Sequence, residues 1–115
     1  MNNMSKKTNK VKPLSFQEVY EKTRTFIPDV VIESINELIL ENYDCEDESA
    51  TIDMSELIER VNKKRCEPYS YRKEHFEDNN WFCFGYLYEE NGWDVQMIQP
   101  DSCETFEPYF YFTRR

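Results

Sequence analysis

Glycine is almost missing from this chain: its 115 residues include two, Gly85 and Gly92. A loop that cradles phosphate needs several closely spaced glycines, so neither a P-loop nor a dinucleotide fingerprint can be built. Histidine is scarcer still. His75 stands alone, which leaves a Ser/His/Asp relay one candidate base. Its setting, Arg72-Lys73-Glu74-His75-Phe76-Glu77, reads as a charged linker or helix edge. The four cysteines, Cys45, Cys66, Cys83 and Cys103, include no CxxC pair, the spacing by which zinc sites announce themselves. Free thiols in a reducing cytosol are the expectation. No run of about 18 apolar residues exists, so no membrane span is expected. The polar start MNNMSKKTNK lacks the apolar core of a secretory signal. No catalytic, cofactor or metal site is expected.

Positive charge is also in short supply. Lys+Arg number 14 against 23 Asp+Glu, a formal net charge of −9. Four of those cations, Lys6, Lys7, Lys10 and Lys12, lie in the first twelve residues, which hold no acid. The remainder keeps 10 Lys+Arg against all 23 acids, a net of −13. Such a body is poorly suited to neutralising phosphates. Aromatic residues are plentiful, with eight Phe, eight Tyr and two Trp; that apolar content excludes a wholly disordered chain. The length suits one domain. The expected organisation is a disordered basic tail over residues 1–14 and a single acidic domain over 15–115.

Periodicity then gives the elements. Ser15 with Glu18 forms a capping-box pattern and opens a short helix over 15–26. Residues 28–43 form the strongest helix, with Pro28 expected at its first position and Val31, Ile35, Leu38 and Ile39 on one face. Across from them Asp29, Glu33, Glu37 and Glu41 recur every four residues with no Lys or Arg among them. An acidic loop follows, carrying Asp44, Glu46, Asp47 and Glu48, then a short strand at 50–52. Asp53 with Glu56 marks a second capping box. Met54, Leu57, Ile58 and Val61 define an amphipathic helix over 54–65, whose end collects Arg60, Lys63, Lys64 and Arg65, cations that suit the helix dipole. Residues 69–78 read as a linker. A third helix is expected over 79–91, capped by Asn79 or Asn80, with Trp81, Phe84, Leu87 and Tyr88 as a core face and Gly92 at its left-handed end. Period-two alternation in Trp93–Met97 and Tyr109–Thr113 predicts a β-hairpin with a long loop, Pro108 marking the start or the edge of its second strand.

Helix, short strand, two helices and a hairpin is the order of a winged helix. The expected fold is therefore α+β, a winged helix-like three-helix core with a C-terminal wing and an extra N-terminal helix. The proline-initiated acidic helix Pro28–Ile39, the strand and helix Ser49–Val61, the aromatic helix ending in Gly92-Trp93 and the hairpin with Cys103-Glu104-Thr105-Phe106 resemble a group of small bacteriophage and prophage proteins over roughly residues 27–113. The resemblance implies a viral accessory protein in the cytoplasm of a bacterial host. It carries no activity onto named residues.

A DNA-reading helix normally presents Arg, Lys, Asn or Gln to base edges. The predicted third helix has no Lys or Arg, and the wing loop carries Asp101, Glu104 and Glu107. The favoured expectation is a protein-binding accessory module. Its acidic ladder (Asp29, Glu33, Glu37, Glu41) and loop (Asp44, Glu46, Asp47, Glu48) would meet a basic surface on a host protein, such as a nucleic-acid-handling or defence factor. Carboxylates four residues apart rise about 6 Å along a helix, close to phosphate spacing, so DNA mimicry is physically available. The alternative is a DNA-binding regulator using Arg60, Lys63, Lys64, Arg65, Arg72, Lys73 and the lysine-rich tail.

Overall fold

A computed structural model gives the fold; it describes residues 11–16, 18, 19 and 26–115. The elements are α1 (Asp29–Asn42), β1 (Tyr43–Asp44), β2 (Ser49–Asp53), α2 (Met54–Arg65), α3 (Lys73–Asp78), α4 (Gly85–Glu89), β3 (Trp93–Ile98) and β4 (Tyr109–Arg114). The fold is α+β. Four helices between residues 29 and 89 accompany one antiparallel sheet of order β1-β2-β4-β3.

Of the expected N-terminal tail, residues 1–10 lie outside the described residues, and residues 12–14 form no helix or strand. The Ser15–Glu18 capping box is formed. The Ser15 N–H donates to Glu18 Oε1 at 3.2 Å and the Glu18 N–H to Ser15 Oγ at 3.1 Å. Most of the helix expected over 15–26 lies outside the described residues, and Phe26 is not helical.

Helix α1 forms where its apolar stripe requires. Val31, Ile35, Leu38 and Ile39 are buried. Ser34 is buried among them without orphaning its hydroxyl, which donates to the Val30 carbonyl at 2.7 Å. Pro28 sits one place earlier than expected, as the N-cap, with an extended ψ of 147°. Its carbonyl accepts from Val31 and Ile32, so its missing N–H is still no loss. The acidic loop is a tight hairpin turn rather than a bare loop, because Tyr43 and Asp44 pair with Ala50 and Ser49. Helix α2 has the predicted bounds, and the Asp53–Glu56 capping box is formed, Asp53 N–H donating to Glu56 Oε1 at 3.1 Å. Met54 N–H reaches across to the Pro108 carbonyl at 3.0 Å and ties this start to the hairpin.

The sheet buries one face under the helices. Ile52 stands opposite Phe110 and Ala50 opposite Phe112, and all four are buried. Tyr109, Tyr111 and Thr113 alternate with them and stay half-exposed. Strand β3 pairs along the whole of β4, from Trp93 opposite Arg114 to Ile98 opposite Tyr109.

The stretch between α2 and β3 corrects the sequence reading. Residues 69–78 are not simply linker, since Lys73–Asp78 form α3 and bury Phe76. The single helix expected over 79–91 is instead a turn followed by the five-residue α4. The reason lies in Asn79 and Asn80, which end α3 rather than begin a new helix. Asn80 adopts a left-handed φ of 57°. Its N–H bonds to the Glu77 carbonyl at 3.2 Å and the Trp81 N–H to the Phe76 carbonyl at 2.8 Å, the 5→2 and 6→1 pair of a Schellman motif. The apolar contact that goes with that motif is also present, with Trp81 packed edge-on against Phe76 at 5.2 Å. Gly92 follows α4 with φ 93°, close to the role expected of it.

Candidate functional site

The two clusters picked out by charge meet each other. Arg60 of α2 forks across two carboxylates of α1: its Nη1 lies 2.9 Å from Glu37 Oε1 and 2.8 Å from Glu41 Oε2, and its Nη2 lies 2.7 Å from Glu41 Oε1. Lys64 Nζ reaches Glu37 Oε2 at 2.6 Å. Hydrogen bonds from Lys64 and Arg60 hold the Glu37 carboxyl below its ordinary range, and Arg60 does the same for Glu41. In return, Glu41 and Glu37 raise the Arg60 guanidinium further, and Glu37 raises Lys64.

Helix geometry explains why the ladder does not present one face. Each i+4 step advances about 40° around a helix of 3.6 residues per turn, so three steps wind through about 120°. Glu37 and Glu41 therefore come round to α2, while Asp29 stays on the opposite flank of the core stripe. Neither Asp29 nor Glu33 makes an ion pair among the described residues.

The acidic turn is partly self-satisfied. Asp44 Oδ1 accepts from the N–H groups of Glu46 at 2.9 Å and Asp47 at 3.4 Å, an Asx turn. Glu48, at a left-handed φ of 53°, pairs with Arg114 at 3.2 Å. Glu46 and Asp47 point their charge to solvent, with no ion pair among the described residues.

The other basic residues are dispersed. The Arg65 guanidinium lies 3.7 Å over the Tyr71 ring and donates to the Tyr69 carbonyl at 3.3 Å. Lys73 is 3.9 Å from Glu77. Lys63 and Arg72 are exposed and make no ion pair among the described residues. His75 is exposed, and its Nδ1 accepts the Arg72 N–H at 2.9 Å. The four cysteines are free and exposed. Among the described residues no group of three or more His, Cys, Asp or Glu is arranged to hold a metal ion, and no helix is long and apolar enough to cross a membrane.

Sequence reasoning missed a cleft on the Asp29 side of α1. Its volume is about 570 Å³, and Ile27, Ile32, Leu87 and Trp93 supply its apolar lining, with Asp29, Asn36, Tyr88 and Asn91 as its polar groups. The Tyr88 hydroxyl donates to Asn36 Oδ1 at 2.8 Å, and burial pushes its pKa above the ordinary tyrosine range. A second cleft of about 270 Å³ adjoins it through the shared residues Asn91 and Trp93, and is lined also by Tyr43, Glu48 and Arg114. A signal was present: Ile32, Asn36, Leu40 and Tyr43 follow helical spacing on a stripe beside the core face, and Leu40 is 81% exposed.

No known protein family, curated protein or solved structure matches this chain.

Proposed function

We propose that the chain is a small acidic protein-binding module whose partner carries a basic surface. The observation that carries this reading is the surplus of acids over cations left without an ion pair among the described residues. Arg60, Lys64, Lys73 and Arg114 sit in ion pairs, while Asp29, Glu33, Glu46 and Asp47 remain unpaired among the described residues. A surface of this kind attracts basic proteins and repels phosphate backbones.

The strand order β2-β4-β3, with α1 before β2 and α2 to α4 before β3, supports a winged-helix reading of the fold, β3–β4 being the wing. Used on DNA, that fold would bring forward α4, whose sequence GYLYE has no cation, and a wing loop carrying Asp101, Glu104 and Glu107. Each acid there would face a phosphate. Two of the four ladder carboxylates are neutralised by α2, which leaves DNA mimicry to Asp29, Glu33 and the acidic turn. On the resemblance to bacteriophage accessory proteins read from the sequence, the partner we propose is a bacterial host protein met in the host cytoplasm.

The test is binding to nuclease-treated bacterial lysate proteins, with each recovered protein then purified and titrated directly. A variant with Asp29→Asn, Glu33→Gln, Glu46→Gln and Asp47→Asn should lose a salt-sensitive partner. Full retention of every partner overturns the acidic-surface reading. Labelled duplex DNA bound at low salt and released at high salt would establish the regulator instead.

A further inference from the structure

The α1 clefts carry a more specific inference, which rests on the acidic-surface reading above. We propose that they form one docking groove for an extended basic peptide segment of the partner, with an apolar side chain of that segment as its anchor. Three observations converge. First, the two clefts adjoin at Asn91 and Trp93, and their linings take in Ile27, Asp29, Ile32 and Asn36 toward the start of α1 and Tyr43 just after its end. Those ends are about 20 Å of helix apart, the length of about six extended residues.

Second, the larger cleft pairs an apolar floor of Ile32, Leu87 and Trp93 with one charged lining residue, Asp29, which has no ion pair among the described residues. Glu33 stands exposed one turn along α1, and Glu89 and Glu90 are exposed beside Leu87 and Asn91. Within the cleft's own lining, Asp29 is the acid placed to meet a Lys or Arg of the partner.

Third, the smaller cleft already holds a guanidinium against an acid. Arg114, 74% exposed, lies 3.2 Å from Glu48, so the charge at that end is balanced and the partner's cation belongs at Asp29. Small sites that combine an apolar anchor pocket with a few fixed polar groups are the usual design for peptide capture. Asn36 and Asn91 supply side-chain amides along the wall; Asn36 Oδ1 already accepts from Tyr88, and Asn91 Nδ2 donates to the Leu87 carbonyl at 2.8 Å. The Asn36 amide hydrogens remain for a peptide carbonyl.

The test is selection of a random dodecapeptide library on the full chain, followed by titration of the most enriched peptide into isotope-labelled protein. Enriched peptides should carry Lys or Arg next to an apolar residue. Bound peptide should shift the Trp93 indole and the Asn36 and Asn91 side-chain amide signals. The Trp81 indole, packed instead against Tyr71 and Phe76, serves as the internal control and should stay in place. Asp29→Asn, a surface change, should weaken binding about tenfold.

Basic peptides that move neither Trp93 nor Asn36, and that lose affinity on Glu46→Gln with Asp47→Asn, overturn the groove and leave the acidic-surface reading standing. Peptides that shift Trp93 but show no basic excess overturn that reading and the proposed occupant with it. An absence of enriched peptides overturns the groove as a peptide site. A dimer in sedimentation that dissociates on Leu40→Ser assigns the face to a second copy and likewise overturns the proposal.

Discussion

Helices α1 and α2 meet along aliphatic side chains flanked by ion pairs, whereas α3, α4 and the β3–β4 hairpin meet through rings. In the first region Val31, Ile35, Leu38, Leu57 and Val61 are buried, and Arg60 and Lys64 close one side on Glu37 and Glu41. In the second, ring contacts run without a break. Tyr71 touches Trp81 at 5.0 Å, Trp81 touches Phe76 at 5.2 Å, Phe76 stacks on Phe82 at 5.1 Å and Phe82 meets Phe110 at 5.6 Å. Phe84 joins Phe110 at 4.9 Å and Phe112 at 6.0 Å, and Phe112 leads to Trp93 and from there to Tyr43. Long regular helices supply their own backbone hydrogen bonds and need only a stripe to bury. A five-residue helix is far below the length that is stable alone, so α4 depends on the rings around it. The difference predicts that the aromatic region is the more sensitive to single changes.

The largest effect is therefore expected from Phe84→Ala. Phe84 is 1% exposed and touches Phe110, Phe112 and Tyr88. Truncating such a ring costs about 3–5 kcal/mol, a large share of the roughly 5–15 kcal/mol that holds a domain folded. Leu57→Ala, in the aliphatic region, should cost less than Phe84→Ala in urea unfolding of the same protein. An equal or larger loss for Leu57→Ala would break the comparison.

Gly92→Ala comes next. Gly92 holds φ 93° in the turn from α4 into β3, and a Cβ there would meet no atom within 4 Å. The cost is then purely that of the left-handed backbone, about 1–2 kcal/mol. Asn91→Gly, at a residue without a positive φ, is the control and should not reproduce it. Tyr88→Phe follows at about 1 kcal/mol. It keeps the ring on Phe112 at 5.4 Å and removes the hydroxyl bond to Asn36, a typical net worth for one hydrogen bond. That bond links α4 to α1, so the change should also speed amide exchange in α4 more than in α2.

The same division explains what the sequence made legible. Helices α1 and α2 were readable to within a residue because their stripes run for three turns or more and a cap residue stands at each start. The β3–β4 hairpin was readable from strict alternation, with Phe110 and Phe112 inward. The region from Tyr69 to Glu90 was not. Its aromatic residues fit a helical stripe, but what sets the local path is the left-handed Asn80 and the clip that Asn62 makes on Tyr71, whose carbonyl and N–H it bonds at 2.8 and 2.7 Å. Asparagine suits a helix start and a left-handed helix end alike, so Asn79-Asn80 had two meanings and the chain uses the second. The acidic ladder was readable as four carboxylates at one spacing. Its partition between α2 and the cleft was not, since that needs the position of Arg60, which the local pattern of α1 does not contain.

The smallest expected effect belongs to the ionic seam, and its sign with pH is what makes it informative. Glu37 and Glu41 have folded pKa values below the reference 4.5, because Lys64 and Arg60 hydrogen-bond their charged forms. Their contribution to stability is complete above pH 4.5 and is lost as pH falls through the folded values. Asp53 runs the other way. Burial, with Glu56 and Glu107 nearby, raises its pKa above 3.8, so its contribution is complete below 3.8 and is lost as pH rises through the folded value. The two opposing contributions overlap in acid, and single variants separate them. Glu37→Gln with Glu41→Gln should flatten the fall in melting temperature below pH 4.5. Asp53→Asn keeps an amide oxygen able to cap α2 and should instead raise stability near neutral pH. Arg60→Lys preserves the charge but cannot fork across two carboxylates, so it should reproduce the double Gln variant only in part. Because the seam is only partly buried, 1 M salt should reduce the Glu37 and Glu41 effect while leaving the Phe84→Ala loss unchanged. A seam effect as salt-resistant as the aromatic one would mean that α1 and α2 bury their charges more deeply than Arg60, at 23% exposure, indicates.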